Sequence, residues 1–492
     1  MVSILIPRTK IIVTLGPSTS SSDIIERMAL IGVSGFRINF AHGNPGFWRE
    51  LVSVVREAEA KIGRPLALIG DLEGPSIRIG VIEKPIMLER GEKVIVKFQE
   101  EAEASKEKVI PIPQRRLFEV LEEGDHLVSD DGRVVLRVIK TYTDEAEVEA
   151  LTSSEVSSRK TIIIRGKDPG LPAISERDLR NIEFAISNNF DYISISFVRN
   201  RDDIVAVKKI VRPRDENIGI ISKIENREAI KNLEDIIDES DVVVIARGDL
   251  GVNFGIEEVP GLQEFIVEKT RRKGKPVVLA TQILESMVLE PTPSRAEATD
   301  ITVAVKQGVD AVMLTGETSI GKYPLEAVKW LKRILLKAEE KTVVKKYEAT
   351  NGLWRYADSV VDVAEKLGAR AILVFTIGCT LPPKLSASRP LIKTIVGASS
   401  TRCARKISIF WGLEPRIVTA RDYESGIQKL ESKLCREGEL SIGENIVEAY
   451  RSTPTSHIVI IKTLSRCSEP LSGVENSSRL NFILNLASSN TP

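Results

Sequence analysis

Short β-branched apolar runs alternate with amphipathic stretches along most of this chain. The runs fall at residues 10–15, 35–40, 66–72, 192–198, 219–225, 241–249, 276–282 and 311–317. Between and after them, apolar positions recur at helical spacing over 22–31, 48–62, 176–188, 202–211, 227–238, 262–272, 295–307 and 325–340. Buried strands alternating with covering helices mean right-handed crossovers in a parallel sheet. Eight such units in succession predict an α/β fold, a closed (β/α)8 TIM barrel, ahead of a doubly wound open sheet.

The rhythm breaks after residue 72. Short alternating runs at 93–98, 126–128, 134–139 and 146–150 are punctuated by E-G-D at 123–125 and D-D-G at 130–132, with almost no helical pattern. A structureless loop of this length would be improbable. A small β-barrel lid domain at 79–159 is therefore expected, inserted into a barrel made of 1–78 and 160–341. Beyond it, a helix at 357–366 and strands at 371–376, 394–396, 415–418 and 457–461 predict a C-terminal α/β domain, 342–492, for regulation or assembly.

Composition adds limits. The 492 residues leave room for about three domains, and 42% hydrophobic with 28% charged residues is ordinary for a globular protein. Lys plus Arg equal Asp plus Glu at 69 each, so no global field draws the chain to nucleic acid or to a membrane surface. Phosphate binding must be local. With no apolar run approaching a membrane span and no leader pattern at the start, a cytoplasmic protein is expected. Cys379, Cys403, Cys435 and Cys467 match no C-x-x-C spacing. Buried or half-buried thiols are the expectation, with one disulfide left open. The charged helices are compatible with a thermophile.

The strand ends carry the chemistry. A barrel of this kind works at the carboxyl ends of its strands. There the sequence places Arg37, Asn39 and His42, then Asp71, then Lys223 and Glu225, then Arg247, Gly248 and Asp249, then Thr281 and Gln282, and last Thr315 and Glu317. Lys223 and Glu225 sit inside an apolar run, where an accidental solvated rim would not put them; a structural ion pair is the plain alternative. Glu225 and Asp249, from neighbouring strands, suit one Mg2+, which takes one or two carboxylates and completes its shell with substrate and water. Lys223 beside the metal is the arrangement a phosphoryl group in flight wants. The backbone amides of G-D-L-G at 248–251 make a cradle for a substrate carboxylate.

These residues occur in recognisable strings: R-T-K-I-I-V-T-L-G-P-S at 8–18, R-I-N-F-A-H-G at 37–43, I-I-S-K-I-E-N at 220–226, A-R-G-D-L-G at 246–251, G-K-P-V-V-L-A-T-Q-I-L-E-S-M at 274–287, P-T-P-S-R-A-E at 291–297 and L-T-G-E-T-S-I-G-K-Y-P at 314–324. In them the chain resembles the pyruvate kinase family over most of its length. The resemblance implies phosphoryl transfer from phosphoenolpyruvate to ADP, giving pyruvate and ATP, in a homotetramer. Lys223 and Arg37 would serve the phosphoryl group. Glu225 and Asp249 would hold Mg2+, for which Mn2+ or Co2+ can substitute. Gly248 and Asp249 amides would bind the substrate carboxylate, and Thr281 with Thr315 would belong to the relay that protonates the enolate. Pro17, Asn39, His42, Arg78 and Lys160 match the nucleotide side, Arg78 at a position that contacts phosphate.

The departures are as informative. Where the family reads D-T-K-G-P-E-I-R, this chain has D-L-E-G-P-S-I-R at 71–78, and N-F-S-H-G becomes N-F-A-H-G. Asn39, Asp71 and Leu72 then form a vestigial monovalent site short of oxygen ligands, so potassium is not expected to be required. In the C-terminal domain, T-I-G-C-T at 376–380 departs from the hydroxyl-rich loop of regulated members, yet leaves room for a phosphorylated effector. An Mg2+-dependent lyase or aldolase, and a non-catalytic nucleotide-binding paralogue, are the competing functions.

Overall fold

The computed structural model describes residues 5–101, 108–453, 456–465 and 481–485. Strands Lys10–Leu15, Gly35–Asn39, Ala67–Asp71, Tyr192–Ile195, Gly219–Ile224, Val242–Ala246, Val277–Ala280 and Ala311–Leu314 close into a barrel. Every pairing is parallel, and the last strand meets the first at Lys10 and Ala311. Closure removes the open-sheet alternative.

Side chains alternate through the barrel wall. Ile11, Phe36, Leu68, Ile220, Val243 and Leu279 pack outward among the helices. Ile12, Ile69, Ile221, Val244, Val278 and Met313 belong to a second cluster inside. Because the period is two, Asp71 lies inward with Ile69, and Lys223 and Glu225 lie inward with Ile221, each further toward the carboxyl end. Tyr192 fits this interior because position 219 is glycine; a Cβ there would lie 2.3 Å from its ring.

The amino end of the barrel is sealed by the C-terminal domain. Tyr192 Oη donates to the Lys406 carbonyl at 2.9 Å, and Tyr356, Ile372 and Ile409 share the interior cluster. That domain is a six-stranded sheet ordered Leu413–Ile417, Lys393–Ala398, Ala371–Thr376, Asn445–Thr453, Ser456–Thr463 and Asn481–Asn485. The expectation of buried thiols is overturned: Cys379 and Cys403 form a disulfide, and no described cysteine is free. A loop after one strand and the helix Thr401–Ile407 bring their Cα atoms to 5.8 Å, within bridging range, a proximity that sequence spacing does not reveal. Cys467 lies outside the described residues.

The insertion is a seven-stranded sheet around its own core, ordered Ile77–Arg78, Thr161–Ile164, His126–Ser129, Val134–Thr141, Glu145–Ala150, Lys93–Phe98 and Val109–Ile112. Val109–Ile112 escaped the sequence reading because it pairs in parallel with Lys93–Phe98, so no hairpin turn announces it. The turn Asp130–Gly132 packs on the helix Arg247–Phe254, which sets the lid over the barrel mouth.

Candidate active site

At the carboxyl end of the barrel, charged side chains from three strands form one connected row. Arg37 directs Nη2 and Nε to Asp71 Oδ2 at 2.5 and 3.1 Å, and Nη1 to Thr14 Oγ1 at 3.0 Å. Lys223 Nζ lies 3.7 Å from that same Asp71 oxygen, 2.8 Å from Glu225 Oε1, and donates to Ser196 Oγ at 2.8 Å. Glu225 stands one residue past its strand. Asn226 then turns the chain, accepting from Ala229 N to cap the helix Arg227–Lys231 and donating to the Val198 carbonyl.

Burial and charge compete in this row. Burial opposes ionisation of Asp71, but Arg37 and Lys223 outweigh it and hold the carboxyl below its usual range. For Lys223, burial disfavours the ammonium, while Asp71 and Glu225 more than restore it and raise its pKa. Asp71 and Lys223 therefore stay ionised at neutral pH. Glu225, fully buried, accepts from Phe197 N at 2.5 Å through Oε2, and its Oε1 makes an ion pair with Lys223 without a directed hydrogen bond. Asp71 Oδ1 accepts no well-directed hydrogen bond, although the Ser194 hydroxyl beside the carboxylate helps to hold its pKa down.

Asp249 is not on a strand. The predicted strand 241–249 stops at Ala246, and Arg247–Phe254 is a helix with Asp249 in its first turn. Asn253 Nδ2 ties the two acidic segments by donating to the Glu225 carbonyl at 2.9 Å and the Asp249 carbonyl at 3.1 Å. Among the described residues no cluster of three or more His, Cys, Asp or Glu side chains forms a metal cage. Two carboxylates with an undirected buried oxygen instead fit a hard cation that shares its shell with substrate and water.

Gly248 N donates to Thr281 Oγ1 at 2.9 Å, so the helix start and the seventh strand end meet. Thr281 and Gln282 lie in the left-handed region, with φ of 67° and 51°, outside the regular strand predicted there. Thr315 N donates to Glu317 Oε2 at 2.7 Å, and Leu284 N to its Oε1 at 2.9 Å. Glu317 is thus fully buried and braces two loops rather than facing the mouth.

The nucleotide-side residues fall into two groups. Asn39 Oδ1 accepts from Ala41 N at 3.0 Å, the Leu72 carbonyl accepts from Ser196 Oγ at 2.8 Å, and Pro17 is on the rim. Partial burial, with Arg78 and Arg37 nearby, lowers the His42 pKa. Arg78 and Arg177 both pair with Glu73, at 2.5 and 2.9 Å. Lys160 belongs to the lid side: its ion pair is with Asp130 at 2.8 Å, not with the barrel mouth. Sequence reasoning missed Ser196, Phe197, Arg177 and Asn253. The period of two, carried through Ser194, would have flagged Ser196 as inward.

Fold and site together define a TIM-barrel enzyme whose mouth is built for a small anionic substrate and a hard divalent cation under a lid. The chain belongs to the pyruvate kinase family: residues 6–328 match the family's barrel domain and 355–456 its alpha/beta domain. It is 36% identical over 455 residues to a pyruvate kinase of Aeropyrum pernix, covering 92% of this chain and 97% of that one. Against a pyruvate kinase of Pyrobaculum aerophilum it is 38% identical over 429 residues, 86% and 91% of the two chains. The crystal structure of pyruvate kinase from Pyrobaculum aerophilum superposes with a TM-score of 0.82 at 36% identity, covering 93% of this chain and 99% of that one.

Proposed function

We infer that this chain transfers the phosphoryl group of phosphoenolpyruvate to ADP, giving pyruvate and ATP, the final step of glycolysis. The observation that carries the reading is the Lys223 ammonium held between Asp71 and Glu225, with Glu225 beside the start of the Asp249 helix. Arg37 and Lys223 face the phosphoryl oxygens as it passes from the enol oxygen to the β-phosphate of ADP. The Asp249 amide, joined by Gly248 N where the substrate shares it with Thr281 Oγ1, holds the substrate carboxylate, and the Thr281 and Thr315 hydroxyls order the relay that returns a proton to C3 of the enolate. Pro17, Asn39, His42, Arg78 and Lys160 take the nucleotide, Lys160 from the lid. Pyruvate kinases generally use Mg2+; held by Glu225 and Asp249, it would neutralise phosphoryl charge. Lid closure excludes water from a group otherwise prone to hydrolysis.

A coupled assay for pyruvate from phosphoenolpyruvate, with and without ADP, tests the reading. ADP-dependent pyruvate formation is expected. Pyruvate without ADP would favour a lyase or phosphatase, and no pyruvate at all would favour a non-catalytic paralogue.

Potassium independence is the finer proposal. Asn39 Oδ1 and the Leu72 carbonyl are already hydrogen-bonded within the chain, and Ala41 and Leu72 offer no side-chain oxygen. Rates in sodium or tetramethylammonium salts should match those in potassium chloride within about twofold, since Asp71 alone of these side chains keeps an oxygen without a directed hydrogen bond, too few hard ligands for a monovalent cation. A large activation by potassium chloride would sink the idea. Among the described residues no helix is long and apolar enough to cross a membrane.

A further inference from the structure

Arg247 is the charged residue of the sixth strand end that the catalytic reading leaves without a role. Its side chain is 7% exposed and turned away from the mouth's anion row. Nε and Nη2 donate to the Thr281 carbonyl at 3.3 and 3.1 Å, and Nη2 also to the Gln282 carbonyl at 2.6 Å. Nη1 is anchored on Asp300 Oδ2 at 2.5 Å, with Gln263 Oε1 at 3.5 Å.

The two carbonyls it grips belong to the left-handed pair Thr281–Gln282. A β-branched residue at positive φ is strained and persists only where its surroundings over-determine it. Arg247 is that surrounding. The next peptide unit completes the fixation, because Gly248 N donates to Thr281 Oγ1 while that hydroxyl donates to the Ala280 carbonyl at 2.7 Å. One dipeptide therefore holds Thr281 twice, by its backbone through the Arg247 side chain and by its hydroxyl through the Gly248 amide.

We propose that Arg247 is a positioning residue for the Thr281 hydroxyl, and so for protonation of the enolate, without contacting substrate. The inference rests on the reading that Thr281 serves the proton relay. Lysine cannot replace Arg247: a single ammonium lacks the planar fork that reaches two carbonyls and a carboxylate together.

The test compares two steps in Arg247→Lys. Deuterium exchange into the pyruvate methyl group, followed by proton NMR with MgATP present, should slow about thirtyfold, in line with the cost of small misplacements at a reacting centre. ATP formation from phosphoenolpyruvate in a rapid-quench single turnover should stay within about threefold, as should KM for ADP, because the anion row is untouched. On a Thr281→Val background the same substitution should cost less than about threefold in exchange, since its effect passes through the missing hydroxyl. Equal losses in both steps, or full additivity with Thr281→Val, would overturn the proposal in favour of a general structural role. If Thr281→Val alone leaves exchange intact, the relay assignment itself fails and takes the inference with it. Should Arg247→Lys not fold, Asp300→Asn frees Nη1 from outside the site and is expected to slow exchange in the same direction, by less; no slowing there would count against the clamp.

Discussion

Asp71 and Asp310 are both 2% exposed and both paired with an arginine, at opposite ends of one barrel. At the sealed amino end, Asp310 is fully committed. Its Oδ1 accepts from Arg389 Nη1 at 2.7 Å and Ser386 Oγ at 3.2 Å, and its Oδ2 from Arg389 Nη2 at 3.0 Å and Val277 N at 2.9 Å. At the mouth, Asp71 loads Arg37 and Lys223 onto Oδ2 and leaves Oδ1 without a well-directed hydrogen bond, with only the Ser194 hydroxyl beside it. A saturated carboxylate fixes the C-terminal domain to the barrel, although Arg389 Nε, buried beside it, has no hydrogen-bond partner. An unsaturated carboxylate keeps charge and lone pairs in readiness for a ligand, at a cost in stability.

Left-handed backbone does not follow this division, since Arg389 at the sealed end also has a positive φ of 52°. Phe197, Thr281 and Gln282 cluster around the mouth, each held by a directed contact from a neighbouring strand end.

The contrast can be broken most sharply at Lys223. Replacing it by methionine should lower kcat by about a thousandfold or more, as loss of a charge-stabilising group at a reacting phosphoryl does. Circular dichroism should show the parent's fold, because Asp71 keeps Arg37, while the unfolding midpoint should fall, because buried Glu225 Oε1 loses its ion-pair partner. Residual turnover near the parent level would remove Lys223 from the mechanism. Arg389→Met is the mirror experiment. It strands a buried carboxylate and should cost about 3–5 kcal/mol of stability, read as a lower midpoint and a shorter inactivation half-life. The KM for phosphoenolpyruvate should not move. A large KM shift would mean that the two ends are coupled and that the division drawn above is wrong.

Much of this was legible in the chain, for reasons that also mark where legibility stopped. The runs K-I-I-V-T-L and V-V-V-I-A are buried on both faces, so apolar continuity alone located their strands. The same continuity misled at Arg247–Asp249. Nothing in the residue types separates the last turn of a strand from the first turn of a helix that begins without a side-chain cap. Thr281 and Gln282 have ordinary strand or helix propensities, and only the Arg247 clamp, fixed by tertiary structure, makes their left-handed backbone intelligible. The strand Asn445–Thr453 pairs on one side with Ser456–Thr463, the next strand in the chain, and on the other with Ala371–Thr376, a partner met only in space. The disulfide was invisible for that reason too.

The smallest effect, and the one that isolates Asp71, lies in pH. Its folded pKa is depressed below the ordinary value of 3.8, because Arg37 and Lys223 outweigh the opposing effect of burial. A group of that kind stabilises the native state fully above its unfolded pKa and ceases to do so as pH falls through the lower folded value. Asp71→Asn removes this contribution. The difference in unfolding midpoint between parent and variant should therefore be constant from neutral pH down to about the ordinary carboxylate value. It should then shrink at more acid pH, where Asp71 itself takes up a proton. Were the difference instead to widen on acidification, the carboxyl would be held above its normal range. Burial would then outweigh the two cations, and the mouth would lack the ionised row on which the comparison with Asp310 depends.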